Sequence, residues 1–330
     1  MRPTTVLRWL ALLGLAVTLP ALAQETQTRQ VTSMAFVGDI MLDDTPGKVV
    51  KQGRDPFQPF ARILDSADIR IGNLECVVAT KGTPDPAKPF SFRANPRVLP
   101  VLHRHFDAVG LANNHSGDFG PDAFAQMLSL LQQTGIGYFG GGLNLSEAHR
   151  PLTLYKNGLK IALLGYNEFM PRSFEADYNK PGIAWSEDDQ VKFDIAQARS
   201  VSHADLVIPV MHWGWEHEPL ASERQRKLAR LMIEAGADAV IGGHPHVTQD
   251  IEIYKGKPII YSLGNFLFDS FTNDDNNTGW LLRLELDHDG VRKSEIYVAH
   301  IDGEGIPQPK DAFPATCWTR GEPNMSRCAK

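Results

Sequence analysis

Short runs of mostly apolar residues recur along the chain, and patterns typical of helices separate them. The runs cover residues 34–38, 68–72, 106–112, 161–165, 206–211, 239–241 and 258–262. Continuous apolar runs of this length are typical of strands that are covered on both faces, as in parallel sheets. The alternation of such strands with helices predicts an α/β fold.

The segments between these runs include two clear helices and one conspicuous loop. Apolar residues at helical spacing span 124–131 and 228–235, and Gly135 and Gly236 follow them as C-terminal stop signals. Residues 82–89 carry three prolines and a glycine and predict an exposed loop. These elements fit one α/β domain, which we predict to span residues 24–305.

The N-terminus has the pattern of a secretory signal peptide. Arg2 and Arg8 give a positive start, an apolar run follows at 10–19, and a small-x-small pattern ends at Ala23. The alternative is an uncleaved membrane anchor, but this run is only about half of the roughly 20 residues that span a bilayer. We therefore expect cleavage near Ala23 and an exported mature protein, either periplasmic or secreted.

Charge limits the classes of partner. Cleavage would remove two arginines and no acidic residue, which takes the formal net charge from −6 to −8. A net acidic protein has no general attraction to nucleic acid or to anionic lipid. We therefore expect no nucleic acid partner, and an anionic substrate would have to meet a local basic patch or metal ions.

The C-terminal part of the chain differs from the rest. Residues 280–286 and 291–301 predict an antiparallel hairpin. Residues 306–330 form a tail in which Cys317 and Cys328 lie close together, and we expect them to form a disulfide in an oxidising compartment. Cys76 lies in an apolar run and is predicted to be a buried free thiol. No C-x-x-C occurs, which argues against a zinc–thiolate site.

Polar and metal-ligating side chains follow almost every predicted strand. In open α/β sheets, ligands bind beyond the carboxyl ends of the strands. One such residue alone is more often a turn residue or a hydrogen-bonded structural histidine, but together they indicate a shared site. The candidate metal ligands are Asp39, Glu75, Asn114, His212, His244 and His246.

The types of ligand restrict the metal and the chemistry. Imidazole with carboxylate and no thiolate suits Zn, Mn or Fe. Six protein ligands exceed what one catalytic ion needs, and they suit two ions roughly 3.5–4 Å apart. The sequence therefore predicts one or two divalent ions and hydrolysis of a phosphoester or, second, of an amide. Trp213 and Trp215 follow His212 and could line a substrate groove, or could be packing residues.

The motifs at these strand ends resemble a known family. They are FVGDIML at 36–42, GNLE at 72–75, LANNHSGD at 111–118, FGGGLNLSEA at 139–148, HWG at 212–214, GGHPH at 242–246 and IYSLGNF at 260–266. In this order they resemble the poly-γ-glutamate capsule synthesis family, often called CapA or PgsA. The resemblance covers about residues 34–270.

That family is similar to calcineurin-like metallophosphoesterases, so the resemblance implies a four-layer αββα sandwich. It also implies that His115 protonates a leaving group, and Asp118 could orient that histidine. Asn73, Trp213, Trp215 and Asn265 are expected near the substrate.

The sequence departs from the parent pattern at two ligands. The parent Asp-x-His has become Asp39-Ile40-Met41, so one imidazole is lost, and Glu75 stands where a bridging aspartate belongs. A thioether is a poor ligand for such ions. One metal position is therefore expected to be weaker, differently liganded or empty.

Two functions remain open at this point. The first is an exported metal-dependent hydrolase that acts on an anionic polymer such as poly-γ-glutamate or on a phosphoester. The second is a non-catalytic subunit that binds a metal or a polymer and supports a membrane-bound synthase complex.

Overall fold

The computed structural model describes residues 31–170 and 172–329, so the predicted signal peptide lies outside the described residues. The strands are β1 (Thr32–Ile40), β2 (Ile69–Leu74), β3 (Val77–Val78), β4 (Arg93–Ala94), β5 (Ala108–Gly110), β6 (Gly137–Phe139), β7 (Gly141–Gly142), β8 (Leu152–Lys156), β9 (Leu159–Asn167), β10 (Gly182–Ile183), β11 (Leu206–His212), β12 (Val240–Gly243), β13 (Ile251–Tyr254), β14 (Lys257–Ile260), β15 (Asn265–Leu267), β16 (Thr278–Asp287), β17 (Gly290–Ile301), β18 (Pro307–Pro309), β19 (Thr316–Thr319) and β20 (Ser326–Arg327). The α-helices are α1 (Asp44–Lys51), α2 (Ala61–Leu64), α3 (Leu99–His105), α4 (Gly120–Thr134), α5 (Leu145–Ala148), α6 (Asp188–Ser200) and α7 (Glu223–Ala235). Short 3-10 helices lie at Gln58–Phe60, Pro96–Val98, Arg172–Phe174 and Asp274–Asn277.

Two large sheets carry most of these strands. The first has the order β20-β19-β17-β16-β1-β2-β5-β6, with β15 beside β1 and β18 beside β17. The second has the order β13-β14-β12-β11-β9-β8. Strands β1, β2, β5 and β6 run parallel, and so do β9, β11, β12 and β14. Each predicted apolar run contributes to a strand, although β5 is shorter than the run at 106–112 because the chain leaves the sheet after Gly110.

The continuous apolar runs are explained by layers on both faces of each sheet. In β1, Met34 and Phe36 pack into the core between the two sheets, whereas Ala35 and Val37 pack into the core beneath helices α3 and α4. In β9, residues 161 and 163 face the same central core, and 162 and 164 face the core under α6 and α7. Side chains alternate between faces with a period of two, so both sets must be apolar. The predicted four-layer αββα sandwich is confirmed.

The two predicted helices end at the expected glycines. Helix α4 ends at Gly135, with φ of 83°, and α7 ends at Gly236, with φ of 115°. These are left-handed conformations, which glycine adopts without a steric cost. At the start of α7, Ser222 and Gln225 form a capping box.

The C-terminal residues pair with the first sheet. β16 and β17 form the predicted antiparallel hairpin, and β18 and β19 both pair with β17. Trp318 on β19 is buried in the central core. Cys317 and Cys328 form the predicted disulfide, and Cys76 is a buried free cysteine, as expected. Along the described part of the chain, no helix has the length and apolar character needed to cross a membrane.

Candidate metal centre

The ends of the parallel strands of both sheets meet at one point, and all six predicted ligands lie there. Asp39 is on β1 and Glu75 directly follows β2. Asn114 lies in the loop after β5, His212 ends β11, and the pair His244 and His246 follows β12. The two sheets therefore contribute ligands to one cluster. The structure brings the whole predicted set together.

One part of the cluster converges on the ring of His212. The His212 Nε2 atom lies 2.7 Å from Asn114 Oδ1 and 3.1 Å from His244 Nδ1. It lies 3.7 Å from Glu75 Oε1. Four potential donors, Glu75, Asn114, His212 and His244, thus approach one another, and we call this set the four-donor group.

The other part of the cluster contains Asp39, Glu75 and His246. The His246 Nε2 atom lies 3.6 Å from Glu75 Oε1, and its Nδ1 atom lies 3.5 Å from Asp39 Oδ2. One ligand atom from each of these three residues lies within 4.8 Å of the others, and the same holds for Glu75, His212 and His244. We call the set of Asp39, Glu75 and His246 the three-donor group. Glu75 belongs to both groups, where a bridging carboxylate is expected.

The electrostatics of the cluster call for a cation. Both carboxylate oxygens of Glu75 and the Nε2 atom of His244 are buried without a hydrogen-bond partner. Burial, and next the neighbouring charge of Asp39, raise the pKa of Glu75 well above its usual range. Burial, followed by repulsion from other imidazoles, holds the pKa values of His212 and His244 well below the usual range. A divalent ion binds neutral imidazoles and ionised carboxylates. The neutral imidazoles and the unpartnered carboxyl group of this cluster are therefore suitable ligands for such an ion.

Backbone geometry at the turn after β12 explains the glycines of the sequence motif. A Cβ atom on Gly243 would lie 2.9 Å from Asp39 Oδ1, and one on Gly242 would lie 2.0 Å from the carbonyl oxygen of Tyr261. Only glycine permits such close approach. The histidines that follow have left-handed backbones, with φ of 97° at His244 and 57° at His246. This turn directs both rings into the cluster at a cost in backbone strain.

His115 and Asp118 form a hydrogen-bonded pair at the edge of the cluster. His115 Nδ1 lies 2.7 Å from Asp118 Oδ2, and the opposite ring atom, Nε2, lies 4.0 Å from Glu75 Oε1. Asp118 is fully buried, and it accepts hydrogen bonds from the Phe92 backbone N–H at 2.7 Å and from Lys88 Nζ. Burial lowers the pKa of His115, and the Asp118 carboxylate opposes this shift. Asp118 thus orients His115 with Nε2 toward the ligands.

The four residues expected near the substrate occupy different environments. Asn73 lies within the cluster and donates to Asp39 Oδ1 at 2.8 Å. Trp215 is 68% exposed. Trp213 does not line a groove, because its ring is buried and its Nε1 atom donates to Tyr261 O at 2.9 Å. Asn265 is fully buried against His246. Of these four, Trp215 is exposed, Asn73 is half-buried, and Trp213 and Asn265 are buried.

Met41 lies in the apolar core beneath the helices of the first sheet. Its sulfur accepts a hydrogen bond from the Asp43 backbone N–H at 3.2 Å. Neither Asp43 nor Glu168, the two nearby carboxylates, replaces the imidazole that the parent pattern expects at position 41. Asp43 accepts from the Arg93 backbone N–H at 2.7 Å, and Glu168 pairs with Arg224. Within the described residues, the three-donor group therefore gains no fourth carboxylate or imidazole ligand.

Three residues near the cluster were not predicted from the sequence. Asn113 donates to Asn73 Oδ1 at 3.1 Å and to Leu74 O at 2.9 Å. The Phe169 ring lies 3.8 Å from the ring of His244, between centroids. Lys88 donates to Asn114 O and to Asp118, although it belongs to the loop that was predicted to be exposed. The Asn-Asn pair at 113–114, directly after a predicted strand, could have indicated that Asn113 lies near the cluster. No sequence pattern indicates this for Phe169 or Lys88.

The fold and the cluster define an α/β protein with a buried carboxylate–imidazole–amide site between two sheets, and comparison with known proteins supplies the family. The model of a family described as bacterial capsule synthesis protein PGA_cap matches residues 33–270. This chain belongs to that family. The expected resemblance to the CapA family is confirmed.

Known relatives include proteins named for capsule synthesis. The chain is 34% identical to the "PGA biosynthesis protein CapA" of Bacillus subtilis, covering 86% of this chain and 75% of that protein. It is 30% identical to the "Capsule biosynthesis protein CapA" of Bacillus anthracis, covering 84% and 69%. Among solved structures, a hypothetical protein from Thermus thermophilus shares 16% identity at a TM-score of 0.48, covering 88% of this chain and 100% of that chain.

Proposed function

We propose that this protein is a metal-dependent hydrolase of capsule or poly-γ-glutamate metabolism, with one or two divalent ions, Zn, Mn or Fe, as its cofactor. The observation that carries the proposal is the state of Glu75. Its carboxylate is fully buried, has no hydrogen-bond partner and faces three imidazoles at 3.6–4.0 Å. A carboxylate in this position is costly to a folded protein unless a cation neutralises it.

The protein residues would divide the work as follows. Glu75, Asn114, His212 and His244 would hold one ion, and Asp39, Glu75 and His246 would hold the other. Bound ions of this kind supply Lewis acidity, which lowers the pKa of a water molecule and neutralises charge on the attacked group. Asn73 donates to Asp39 and lies 3.3 Å from His212 Nδ1, so it would keep the ligands of the two groups in register.

His115 would act as the general acid. The Asp118 carboxylate accepts from Nδ1–H, so the neutral ring has no proton on Nε2. The imidazolium form, which the neighbouring Asp118 charge favours, would carry on Nε2 the proton that passes to a leaving group, and Nε2 faces the cluster. Proton donation by a positioned side chain contributes about 10²–10⁴-fold to a rate. The Phe92 ring, with its centroid 4.6 Å from that of His115, covers the imidazole and limits its exposure to water.

A cleft beside the cluster would receive the substrate. It has a volume of about 350 Å³, and its lining includes residues 83–86, Asn113 and Asn114, and residues 173 and 174. Lys88 and Lys180 lie on its wall. Positive side chains and amides would suit an anionic polymer or a phosphoester, although Lys88 is itself paired with Asp118.

The same proposal places the protein outside the cytoplasm. Residues 1–23 have the sequence of a cleavable signal peptide, and export would bring the mature chain to the compartment where a capsule polymer is assembled or trimmed. N-terminal sequencing of the protein from the periplasm or medium should begin at residue 24. Recovery of an intact N-terminus in the membrane fraction would contradict export as a cleaved protein.

Metal analysis and hydrolysis assays together test the function. The purified mature protein should retain at least one equivalent of Zn, Mn or Fe. With metal present, it should hydrolyse at least one of a chromogenic phosphodiester, a phosphomonoester or poly-γ-glutamate. His115→Ala should lower that rate about 10²–10⁴-fold while the metal content stays the same. His288→Ala, a variant of an exposed histidine on the turn after β16, is the matched control.

Two outcomes would contradict the proposal. A protein with no affinity for any of these ions would remove its basis. A metal-loaded protein that binds poly-γ-glutamate but hydrolyses none of the substrates would favour the alternative, a non-catalytic accessory subunit of a membrane-bound synthase complex. The names of two Mycobacterium tuberculosis relatives, each "probable polyglutamine synthesis accessory protein", are consistent with that alternative.

A further inference from the structure

We infer that Asn265 and Asn276 are positioning residues that clamp His246 in the orientation needed to ligate a metal ion. The inference rests on the metal site of the proposed function, and it assigns Asn265 a role different from the substrate contact expected from the sequence. Asn265 begins β15, and Asn276 lies in the 3-10 helix Asp274–Asn277. We call these two residues the amide clamp.

The first contact of the amide clamp fixes the ring of His246. Asn265 Oδ1 lies 2.8 Å from His246 Nδ1. An amide oxygen can only accept, so Nδ1 carries the proton and Nε2 keeps its lone pair. That Nε2 atom is the one 3.6 Å from Glu75 Oε1. The contact thus selects the tautomer and the ring orientation that a ligand at this position needs.

The orientation of the Asn265 amide is itself determined by its neighbours. Its Nδ2 atom donates to Asn276 O at 3.0 Å and to His246 O at 3.3 Å. A flipped amide would place its oxygen against two carbonyl oxygens and its N–H groups against His246 Nδ1. Both ends of the side chain are therefore used, and because Asn265 is fully buried it is not available to a substrate.

The second contact holds the backbone of His246. The His246 carbonyl oxygen accepts from both amides of the clamp, with Asn276 Nδ2 at 3.0 Å. His246 has φ of 57°, a strained backbone conformation for a non-glycine residue that persists only where its surroundings hold it there. Two hydrogen bonds to its carbonyl group supply that support. The ring and the backbone of the same ligand are thus fixed by one pair of side chains.

The clamp acts on the group that lacks a ligand. In the four-donor group, four side chains constrain one another around His212. In the three-donor group, Met41 has replaced an imidazole, so each remaining ligand carries more of the binding energy. A displacement of His246 should therefore weaken metal binding more than an equal displacement of one ligand in the four-donor group.

The test compares three variants at two buried asparagines. Asn265→Leu removes the clamp at similar volume, and Asn265→Asp keeps an acceptor for Nδ1. Asn277→Leu is the matched control, because Asn277 is also buried and lies in the same 3-10 helix as Asn276, but it bonds to Phe271 and not to His246. Two quantities are measured: Mn²⁺ affinity of each purified variant, and the tautomer of His246 in the metal-free protein, read from its ring ¹⁵N shifts.

Asn265→Leu should weaken the lower-affinity Mn²⁺ step by about 10- to 100-fold, as found for partners of metal-ligating histidines. It should also shift His246 from the Nδ1–H tautomer toward a mixture. Asn265→Asp should retain the tautomer, and Asn277→Leu should match the wild type in both measurements. Unchanged affinity and an unchanged tautomer in Asn265→Leu would overturn the inference.

The two readouts separate this inference from the proposed function. A wild-type protein that binds no metal would contradict the proposed function, and the tautomer measurement would still decide the role of Asn265. If the wild-type protein binds metal and Asn265→Leu matches it in both affinity and tautomer, the clamp alone is overturned. Thermal unfolding of each variant shows whether the fold is retained. If Asn265→Leu fails to fold, Asn276→Ala takes its place, because it removes one of the two hydrogen bonds to His246 O. It should weaken the lower-affinity Mn²⁺ step, and an unchanged affinity would overturn the clamp.

Discussion

The two halves of the metal centre share Glu75 but are built differently. The four-donor group collects its side chains from both sheets around His212, and two of its ligand contacts are 3.1 Å or shorter before any ion is considered. The three-donor group has fewer ligands, and one of them, His246, depends on asparagines that follow it in the chain. The difference teaches that an imidazole at position 41, where the parent pattern expects one, would belong to only one half of the site. We therefore expect one tight and one weak ion.

The largest effect should come from the residue that the two halves share. Glu75→Gln should lower the affinity for both ions by more than about 100-fold. Even the loss of a residue that only hydrogen-bonds to a metal ligand lowers metal affinity by about 10- to 100-fold. Glu75→Gln should also stabilise the metal-free protein at neutral pH by about 1–3 kcal/mol, the usual cost of an unsatisfied buried group. Titration calorimetry and denaturant unfolding with and without chelator measure the two effects.

The pH dependence of the metal-free protein gives a further check on Glu75. Its folded pKa is raised above the unfolded value, so the folded state binds more protons between those two pKa values. The free energy of unfolding should therefore fall as pH rises from the ordinary glutamate pKa toward the raised one. Glu75→Gln should lose this fall. A variant with the same pH slope as the wild type would contradict the burial of an unpartnered carboxylate.

The next effect separates the two halves. His246→Ala should leave one tightly bound ion per protein after gel filtration, because the four-donor group is intact. His244→Ala should leave less than one, because only three donors remain in either half. His149→Ala is the control: this half-buried histidine bonds at 2.8 Å to Asp194, which is not part of the cluster. Equal metal loss in both cluster variants would show that the halves are equivalent.

The positions of the six ligands could be predicted because each lies at or just beyond the end of a strand, and parallel strands place their ends at one edge. The environment of a side chain was harder to predict. Trp213 and Trp215 are two residues apart, yet one is buried and the other exposed, since packing against Tyr261 decides the first. The role of Asn265 depends on a contact with His246 across 19 positions in sequence. Such contacts are set by tertiary structure and leave no local pattern.

The smallest effect should come from Met41. Met41→Leu conserves volume in an apolar core and should cost less than about 1.5 kcal/mol. Neither metal affinity should change, because the Met41 sulfur accepts from Asp43 N and packs among apolar side chains. Calorimetric titration with Mn²⁺ and thermal unfolding measure the two quantities. Loss of the weaker ion in Met41→Leu would mean that the thioether is a ligand, and the three-donor description would be wrong.

Anomalous diffraction from crystals of the mature protein grown with limiting Mn²⁺ tests the asymmetric site most directly. We predict a strong peak among Glu75, Asn114, His212 and His244, and a weaker peak among Asp39, Glu75 and His246 that grows as Mn²⁺ is raised. Equal peaks at limiting Mn²⁺, or a stronger peak in the three-donor group, would contradict the asymmetry. No peak in either group at saturating Mn²⁺ would contradict the metal centre itself.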